Sequence, residues 1–83
     1  MAADNRSEVV VITGASAGVG RATAQAFGRR GAHVGLLARG RDGLEGAKAE
    51  VESAGAKALV LPTDVSDAQA VEAAAGEVEE RLG

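Results

Sequence analysis

The chain has 83 residues, a formal net charge of −3 and no cysteine, so it is limited to one small domain without disulfides or cysteine-based metal sites. The mild acidity, with no cluster of basic residues, argues against nucleic acid or an anionic membrane as a partner. No apolar run approaches the roughly 20 residues that cross a bilayer, and the first residues lack the apolar core of a signal peptide, so a cytoplasmic location is expected.

The hydrophobic pattern of the first half predicts a strand, a helix and a second strand, preceded by a flexible lead-in at residues 1–7. Strand one covers residues 8–13, a continuous apolar run typical of a parallel strand buried on both faces. Helix one covers about residues 17–30, and Gly31 occupies the left-handed position that commonly ends a helix. Strand two covers residues 32–38.

The second half predicts a helix at about residues 41–54, a third strand at residues 57–62 and a third helix. The apolar face of helix two comprises Leu44, Ala47, Val51 and Ala54. Gly43 and Gly46 weaken that helix by up to about 1 kcal/mol each relative to alanine. Ser66, with Gln69 three positions later, predicts a capping box at the start of helix three. The apolar stripe of helix three comprises Ala68, Val71, Ala75, Val78 and Leu82.

Strands that alternate with helices at this spacing predict an α/β fold with a parallel sheet and right-handed crossovers. The predicted architecture is a Rossmann-type βαβαβα half, with three parallel strands in spatial order 3-2-1 and flanking helices. His33 begins a strand with no cysteine or carboxylate cluster near it in sequence, so a structural role is expected for it.

Three glycines follow strand one within seven positions, in the sequence VVVITGASAGVG. Gly14 allows a sharp turn directly after the strand, Gly18 allows a ligand to approach the backbone, and Gly20 allows the helix to pack tightly on the strand. The helix N-terminus then offers free N–H groups to a diphosphate. A P-loop is excluded because no Gly-Lys-Ser/Thr occurs and the lysines are Lys48 and Lys57. A dinucleotide is therefore favoured over a nucleoside triphosphate.

The sequence TGASAGVG at residues 13–20 resembles the T-G-x-x-x-G-x-G signature of the short-chain dehydrogenase/reductase family, and DVSD at residues 64–67 resembles the acidic segment that follows the third strand of that family. The resemblance covers essentially all of residues 8–83. It implies a Rossmann fold and an NAD(P)-dependent oxidoreductase that interconverts carbonyls and alcohols. It also implies a small-molecule substrate and, for the complete enzyme, a homo-oligomer.

The resemblance also implies which residues contact the cofactor. The residues that would line the ribose and diphosphate are Gly14, Ser16, Ala17, Gly18 and Val19. Gly20 matches the packing glycine of the family. Asp64 would accept a hydrogen bond from the adenine amino group, and Val65 would flank the ring. Two alternatives remain open: Asp64 belongs to the turn that caps helix three, and Ser16 merely stabilises the glycine turn.

The residue after strand two bears on the choice between NADP and NAD. Ala38 stands where an acid would bind the ribose 2′-hydroxyl, and Arg39 follows it. Arginine binds phosphate through its planar fork of donors, so Arg39 favours NADP(H), with NAD as the alternative. Against this, NADP-dependent members of the family often carry a basic residue where this chain has Ala17. The competing interpretation of Arg39 is a solvated loop residue.

The catalytic residues of the family are a serine, a tyrosine and a lysine four positions after the tyrosine, and this chain contains no tyrosine. Residues 8–83 are therefore expected to be an incomplete NAD(P)-binding domain, the N-terminal part of a longer enzyme, and inactive alone. The alternatives are a non-catalytic dinucleotide-binding or interaction module complete at this length, and a structural half that completes its sheet with a second chain. In all three interpretations, strand one would be an open apolar edge of the sheet.

Overall fold

A computed structural model describes residues 8–16 and 18–83. Residues 1–7 and Ala17 lie outside the described residues, so the predicted lead-in and the predicted role of Ala17 stay predictions. The elements are β1 (Val9–Thr13), α1 (Gly18–Arg29), β2 (His33–Ala38), α2 (Asp42–Ser53), β3 (Ala58–Pro62) and α3 (Ala68–Leu82). All six predicted elements are present.

The three strands form one parallel sheet in the order β1-β2-β3, which confirms the predicted order 3-2-1. Val10 pairs with Val34, and Val34 pairs with Ala58. The central strand β2 is buried from Val34 to Ala38, as expected for a parallel strand that is covered on both faces. Because all three strands run the same way, their carboxyl ends meet at one edge of the sheet.

Helices cover both faces of the sheet. α1 and α2 pack against each other and on one face, whereas α3 packs on the other face. The core between the sheet and the α1/α2 layer consists of small and medium side chains: Ile12, Ala15, Ala24, Val34, Leu36, Ala38, Leu44, Ala47, Val51 and Ala56. On the α3 face, Val78 is fully buried above Gly35 of β2.

The predicted helix stripes are correct at their centres and wrong at their ends. In α2, Leu44, Ala47 and Val51 are fully buried, but Ala54 is exposed because the helix ends at Ser53. In α3, Val78 is buried, whereas Ala68 is exposed. Other members of the predicted α3 stripe, Val71, Ala75 and Leu82, are half-buried. The buried line of α3 includes Ala74, one turn before Val78, since the helix meets the sheet along that line.

The predicted cap of helix three is wrong by one residue. The N-cap is Asp67, whose carboxylate accepts hydrogen bonds from the backbone N–H groups of Gln69 and Ala70 at 3.0 and 3.2 Å. Ser66 does not cap the helix because its hydroxyl donates instead to Asp64. The predicted end of helix one is confirmed, with Gly31 in the left-handed region at φ 83°.

The structural role predicted for His33 is supported by its contact, since its Nδ1 accepts a hydrogen bond from the backbone N–H of Lys57 at 3.2 Å. Among the described residues, no group of three or more histidine, aspartate and glutamate side chains is arranged to hold a metal ion. Within the same part of the chain, no helix has both the length and the apolar character needed to cross a membrane.

Candidate functional site

The glycine turn leaves the carboxyl end of β1 and leads directly into α1. Gly14 and Gly18 both adopt left-handed backbone, at φ 64° and 60°, which strongly favours glycine. Apart from each glycine and its two chain neighbours, no atom of the described residues lies within 4 Å of the place where a Cβ would stand on Gly14 or Gly18. The predicted conformational role of Gly14 is confirmed, and the backbone at both glycines faces open space.

Gly20 brings α1 close to the end of β1. A Cβ at this position would collide with the carbonyl oxygen of Gly14 and lie 3.2 Å from the carbonyl oxygen of Thr13. This contact confirms the predicted packing role of Gly20. The first turn of α1 carries no acidic side chain, so its N–H groups and the positive end of the helix dipole favour an anion. Val19, in this first turn, is 85% exposed.

The turn is also fixed to the neighbouring strand. The backbone N–H of Ala15 donates to the carbonyl oxygen of Leu37 in β2 at 3.2 Å, and Ala15 is fully buried. In the same way, the N–H of Thr63 after β3 donates to the carbonyl oxygen of Ala38 at 2.7 Å. These two bonds connect the carboxyl ends of all three strands, so the segments that follow them share one edge of the sheet.

Arg39 and Asp64 meet at this edge. Arg39 Nη2 donates to Asp64 Oδ1 at 3.4 Å, and both side chains are largely exposed. Asp64 Oδ1 also accepts from the Ser66 hydroxyl at 2.7 Å and from the Ser66 backbone N–H at 3.0 Å. The Ser66 hydroxyl, the Ser66 backbone N–H and the Arg39 guanidinium together lower the pKa of Asp64. Asp64 is therefore a carboxylate held in a turn, with Oδ2 receiving none of these three bonds.

The predicted site residues thus form two groups at this edge of the sheet. One is the turn, of which Gly14, Ser16, Gly18, Val19 and Gly20 are described; the other is Arg39, Asp64 and Val65. Val65 is 47% exposed beside Asp64, as an apolar side chain available to a ligand would be. Ser16 is half-buried against α2, where a Cβ on Gly43 would lie 2.6 Å from the Cβ of Ser16.

Contacts between α2 and the turn were not predicted from the sequence. Helix propensity alone predicts that Gly43 and Gly46 weaken the helix, but these glycines also allow α2 to approach Ser16 and Arg21. Arg21 also forms a two-bond ion pair with Glu50 of α2, at 2.8 and 3.0 Å. The spacing of these glycines, three residues apart on one helix face, was the available signal.

Two of the surface hollows formed by residues 8–16 and 18–83 are not lined by the glycine turn. The larger, of about 490 Å³, lies between the second halves of α1 and α2 and is lined by Gln25, Arg29, Ala49, Glu50, Ser53 and Ala54. The smaller, of about 340 Å³, lies between β3 and α3 and borders Thr63 and Asp64. The glycine turn is an open surface of backbone groups. It is therefore identified as a candidate site by its backbone conformation and its helix N-terminus rather than by a surface hollow.

A parallel sheet in the order β1-β2-β3, with helices on both faces and a glycine turn after β1, defines the chain as a Rossmann-type α/β structure. The family model described as short chain dehydrogenase matches residues 8–83. The chain belongs to this family of oxidoreductases, which confirms the resemblance and the fold class predicted from the sequence.

Three similar proteins illustrate the relationship. Glycine betaine reductase ATRR of Emericella nidulans is 45% identical over 76 residues, which are 92% of this chain and 6% of that protein. An alcohol dehydrogenase from Thermococcus sibiricus, solved in complex with 5-hydroxy-NADP, is 40% identical with a TM-score of 0.84 over 94% of this chain and 34% of its own. An NAD+-bound xylitol dehydrogenase is 32% identical with a TM-score of 0.87 over 94% of this chain and 30% of its own.

This chain spans about a third or less of each of these three proteins. The two solved neighbours hold cofactors of both kinds, an NADP derivative in one and NAD+ in the other, on the same fold. The fold therefore agrees with an NAD(P) cofactor, and the choice between the two depends on the side chains of this chain.

Proposed function

We propose that this chain supplies the adenosine- and diphosphate-binding part of an NAD(P)-dependent oxidoreductase that prefers NADP(H) and interconverts a small carbonyl compound and its alcohol. One observation carries the proposal: the open glycine turn after β1 lies at the same sheet edge as Arg39 and Asp64, which follow β2 and β3. Ligands of open α/β sheets bind at this edge.

The glycine turn suits a diphosphate. Gly14 and Gly18 expose left-handed backbone, and among the described residues other than their chain neighbours no atom lies within 4 Å of either Cβ position. The phosphate oxygens can therefore approach the main chain directly. The first N–H groups of α1, at Gly18 and Val19, have no acceptor within the helix and favour negative charge. We assign Ser16 and Ala17 to the same subsite by their place in the turn.

Arg39, Asp64 and Val65 suit the adenosine half. Asp64 is fixed by Ser66 through Oδ1, which leaves Oδ2 to accept from the adenine amino group. Val65 offers apolar surface to the ring. The exposed guanidinium of Arg39 can bind a 2′-phosphate through its fork of donors, and this charge is the reason for preferring NADP over NAD.

When bound, the cofactor would donate or accept the hydride, and the residues of this chain would hold and orient the cofactor. Proton transfer to a developing alkoxide needs a positioned group with a suitable pKa, and the tyrosine that does this in the family is absent from these 83 residues. We therefore propose that the 83-residue chain binds cofactor without turnover. The substrate and a homo-oligomeric assembly are proposals for the whole protein.

Calorimetric titration of the chain with NADP+ and with NAD+ tests the proposal. We expect tighter binding of NADP+, and we expect Arg39→Ala to weaken it by about tenfold, the size of one exposed charged hydrogen bond. The affinity for NAD+ should stay within about twofold. Arg81→Ala, which removes an exposed arginine of α3, is the matched control. Tighter binding of NAD+ than of NADP+ would contradict the NADP assignment, and binding of neither would contradict the function.

A further inference from the structure

Glu50 of α2 connects two successive turns of α1. Its Oε1 accepts from Arg21 Nε at 2.8 Å and from Gln25 Nε2 at 2.8 Å, and its Oε2 accepts from Arg21 Nη2 at 3.0 Å. Arg21 and Gln25 are four residues apart and lie on one face of the helix. A carboxylate that holds both fixes the rotation of α1 about its axis and its position along α2.

The same face of α2 also contacts the glycine turn. Gly43, Gly46 and Glu50 follow one another at helical spacing. A Cβ at Gly43 would lie 2.7 Å from the carbonyl oxygen of Ser16, and a Cβ at Gly46 would lie 2.6 Å from Nη2 of Arg21. This face of α2 therefore lies against the glycine turn and the first turn of α1, and the missing side chain at Gly46 provides the space for the guanidinium of Arg21.

We infer that Arg21 is a positioning residue for the diphosphate, and that it acts through Glu50 by holding the N-terminal turn of α1 in its binding orientation. The inference rests on the proposed function. Arg21 lies three residues after Gly18, and its guanidinium is bound to Glu50 of the neighbouring helix α2. Its proposed effect on the diphosphate is therefore indirect.

The glycines of the turn make such a support necessary. Gly14 and Gly18 lose more backbone freedom on ordering than any other residue would, and a ligand that had to order them would bind more weakly. A pair with two parallel hydrogen bonds fixes geometry better than a single contact does. The Arg21 and Glu50 side chains are 32% and 37% exposed, so their exchange is compatible with a folded core.

Two small ligands separate positioning from general stability. ADP carries the diphosphate that the turn would hold, whereas adenosine 2′-monophosphate would reach Arg39 and Asp64 without a diphosphate. We expect Arg21→Gln to weaken ADP binding by about tenfold, the equivalent of one hydrogen bond to the diphosphate. Binding of adenosine 2′-monophosphate should change by less than about twofold. Arg81→Gln, which removes the matched pair with Glu77 at 2.8 Å, should change neither.

Glu50→Gln, which leaves Arg21 and the first turn of α1 unchanged and removes only its partner, should weaken ADP binding by a similar factor and leave binding of adenosine 2′-monophosphate within about twofold. Equal ADP affinity in the wild type and a folded Arg21→Gln, or a parallel loss for both ligands, would overturn the inference. If Arg21→Gln does not fold, Arg21→Lys is used instead, because lysine keeps the positive charge and loses the two parallel hydrogen bonds to Glu50. Selective weakening of ADP binding in this variant would support the positioning role, and unchanged ADP binding would overturn it. A wild-type chain that binds neither ligand would instead refute the proposed function.

Discussion

Arg39 Nη2 lies 3.4 Å from Asp64 Oδ1, across the ends of β2 and β3. The side chain proposed to bind the 2′-phosphate is thus partnered by the carboxylate proposed to bind adenine. A 2′-phosphate that enters between them must draw Arg39 away from Asp64 and tolerate the nearby negative charge. We therefore expect Asp64 to influence the preference between NADP and NAD, although its proposed contact is with the adenine that both cofactors share.

Asp64→Asn isolates this influence. Any effect of the substitution on adenine binding is common to both cofactors and cancels in the ratio of NADP+ affinity to NAD+ affinity. We expect this ratio to rise by about threefold, the size of an exposed ion pair, because Arg39 loses the carboxylate that competes with the 2′-phosphate. Titration with both cofactors at low and high salt measures the ratio, and salt should reduce the rise because both charges are exposed. A ratio that falls would show that the carboxylate helps to orient Arg39 rather than competing for it.

The contact between Gly20 and Gly14 is expected to be intolerant of one methyl group. Gly20→Ala places a Cβ against the Gly14 carbonyl oxygen, and rigid backbone cannot yield, so the free energy of unfolding should fall by about 1–3 kcal/mol or more. Urea unfolding followed by circular dichroism measures the change.

Gly76→Ala in α3 is the matched control for that substitution, since a Cβ at Gly76 would meet no atom of the described residues within 4 Å beyond its chain neighbours and the backbone of its own helix. Alanine is the better helix former, so the free energy of unfolding should rise by about 0.5–1 kcal/mol. If both substitutions changed the stability equally, the close approach of α1 to the end of β1 would be wrong.

Glu50 gives the protein an acid-sensitive contribution to stability. Hydrogen bonds from Arg21 and then Gln25 lower the pKa of this carboxyl from 4.5 to about 2. Because the folded pKa lies below the unfolded one, the contribution is complete above about pH 5 and is lost as the pH falls towards about 2.

Thermal unfolding of the wild type and Glu50→Gln between about pH 2 and pH 7 tests this linkage. The wild type should be more stable at neutral pH, and the difference should shrink as the solution is acidified. The comparison cancels the contribution of Asp64, whose pKa is also lowered and which both proteins retain. A difference that stays constant across this range would show that the ion pair does not contribute to stability.

The order of elements, the parallel sheet and the glycine turn were all predictable because each depends on local sequence. Apolar runs, helical spacing and the residues at positions 14, 18 and 20 carry that information within a few positions. The position of Arg39 after β2 and of Asp64 after β3 followed from the same argument, since parallel strands share an edge.

Contacts between distant residues were not predictable in the same way. Arg21 and Glu50 are separated by 29 positions. Helical periodicity shows which residues share a helix face, but it does not show which residues of another helix that face contacts. Helix propensity describes Gly43 and Gly46 only as weak helix formers and carries no information on the close packing that requires them. Asp67 rather than Ser66 caps α3 because the Ser66 hydroxyl donates its hydrogen bond to Asp64, a contact that the capping-box pattern does not include.

The packing of α3 on the sheet is expected to depend on the contact between Gly35 of β2 and Val78 of α3, because the valine side chain occupies the space that the glycine leaves free. A Cβ on Gly35 would collide with a methyl group of Val78, with the other methyl carbon at 2.9 Å, and Val78 is fully buried. Gly35→Ala should therefore lower the free energy of unfolding by about 1–3 kcal/mol through overpacking. Val78→Ala should lower it by about 2 kcal/mol through loss of two buried methyl groups.

Together, the two substitutions should cost less than the sum of their separate effects, because the methyl group added at residue 35 occupies space vacated at residue 78. We expect a favourable coupling of about 1 kcal/mol or more between contacting residues. Urea unfolding of the wild type, both single variants and the double variant completes the cycle, with Val51→Ala on the opposite face replacing Val78→Ala as the control. Since Val51 packs in the α1/α2 layer, the changes in unfolding free energy caused by Val51→Ala and Gly35→Ala should be additive. If the changes caused by Val78→Ala and Gly35→Ala were additive as well, the contact between α3 and Gly35 would be wrong.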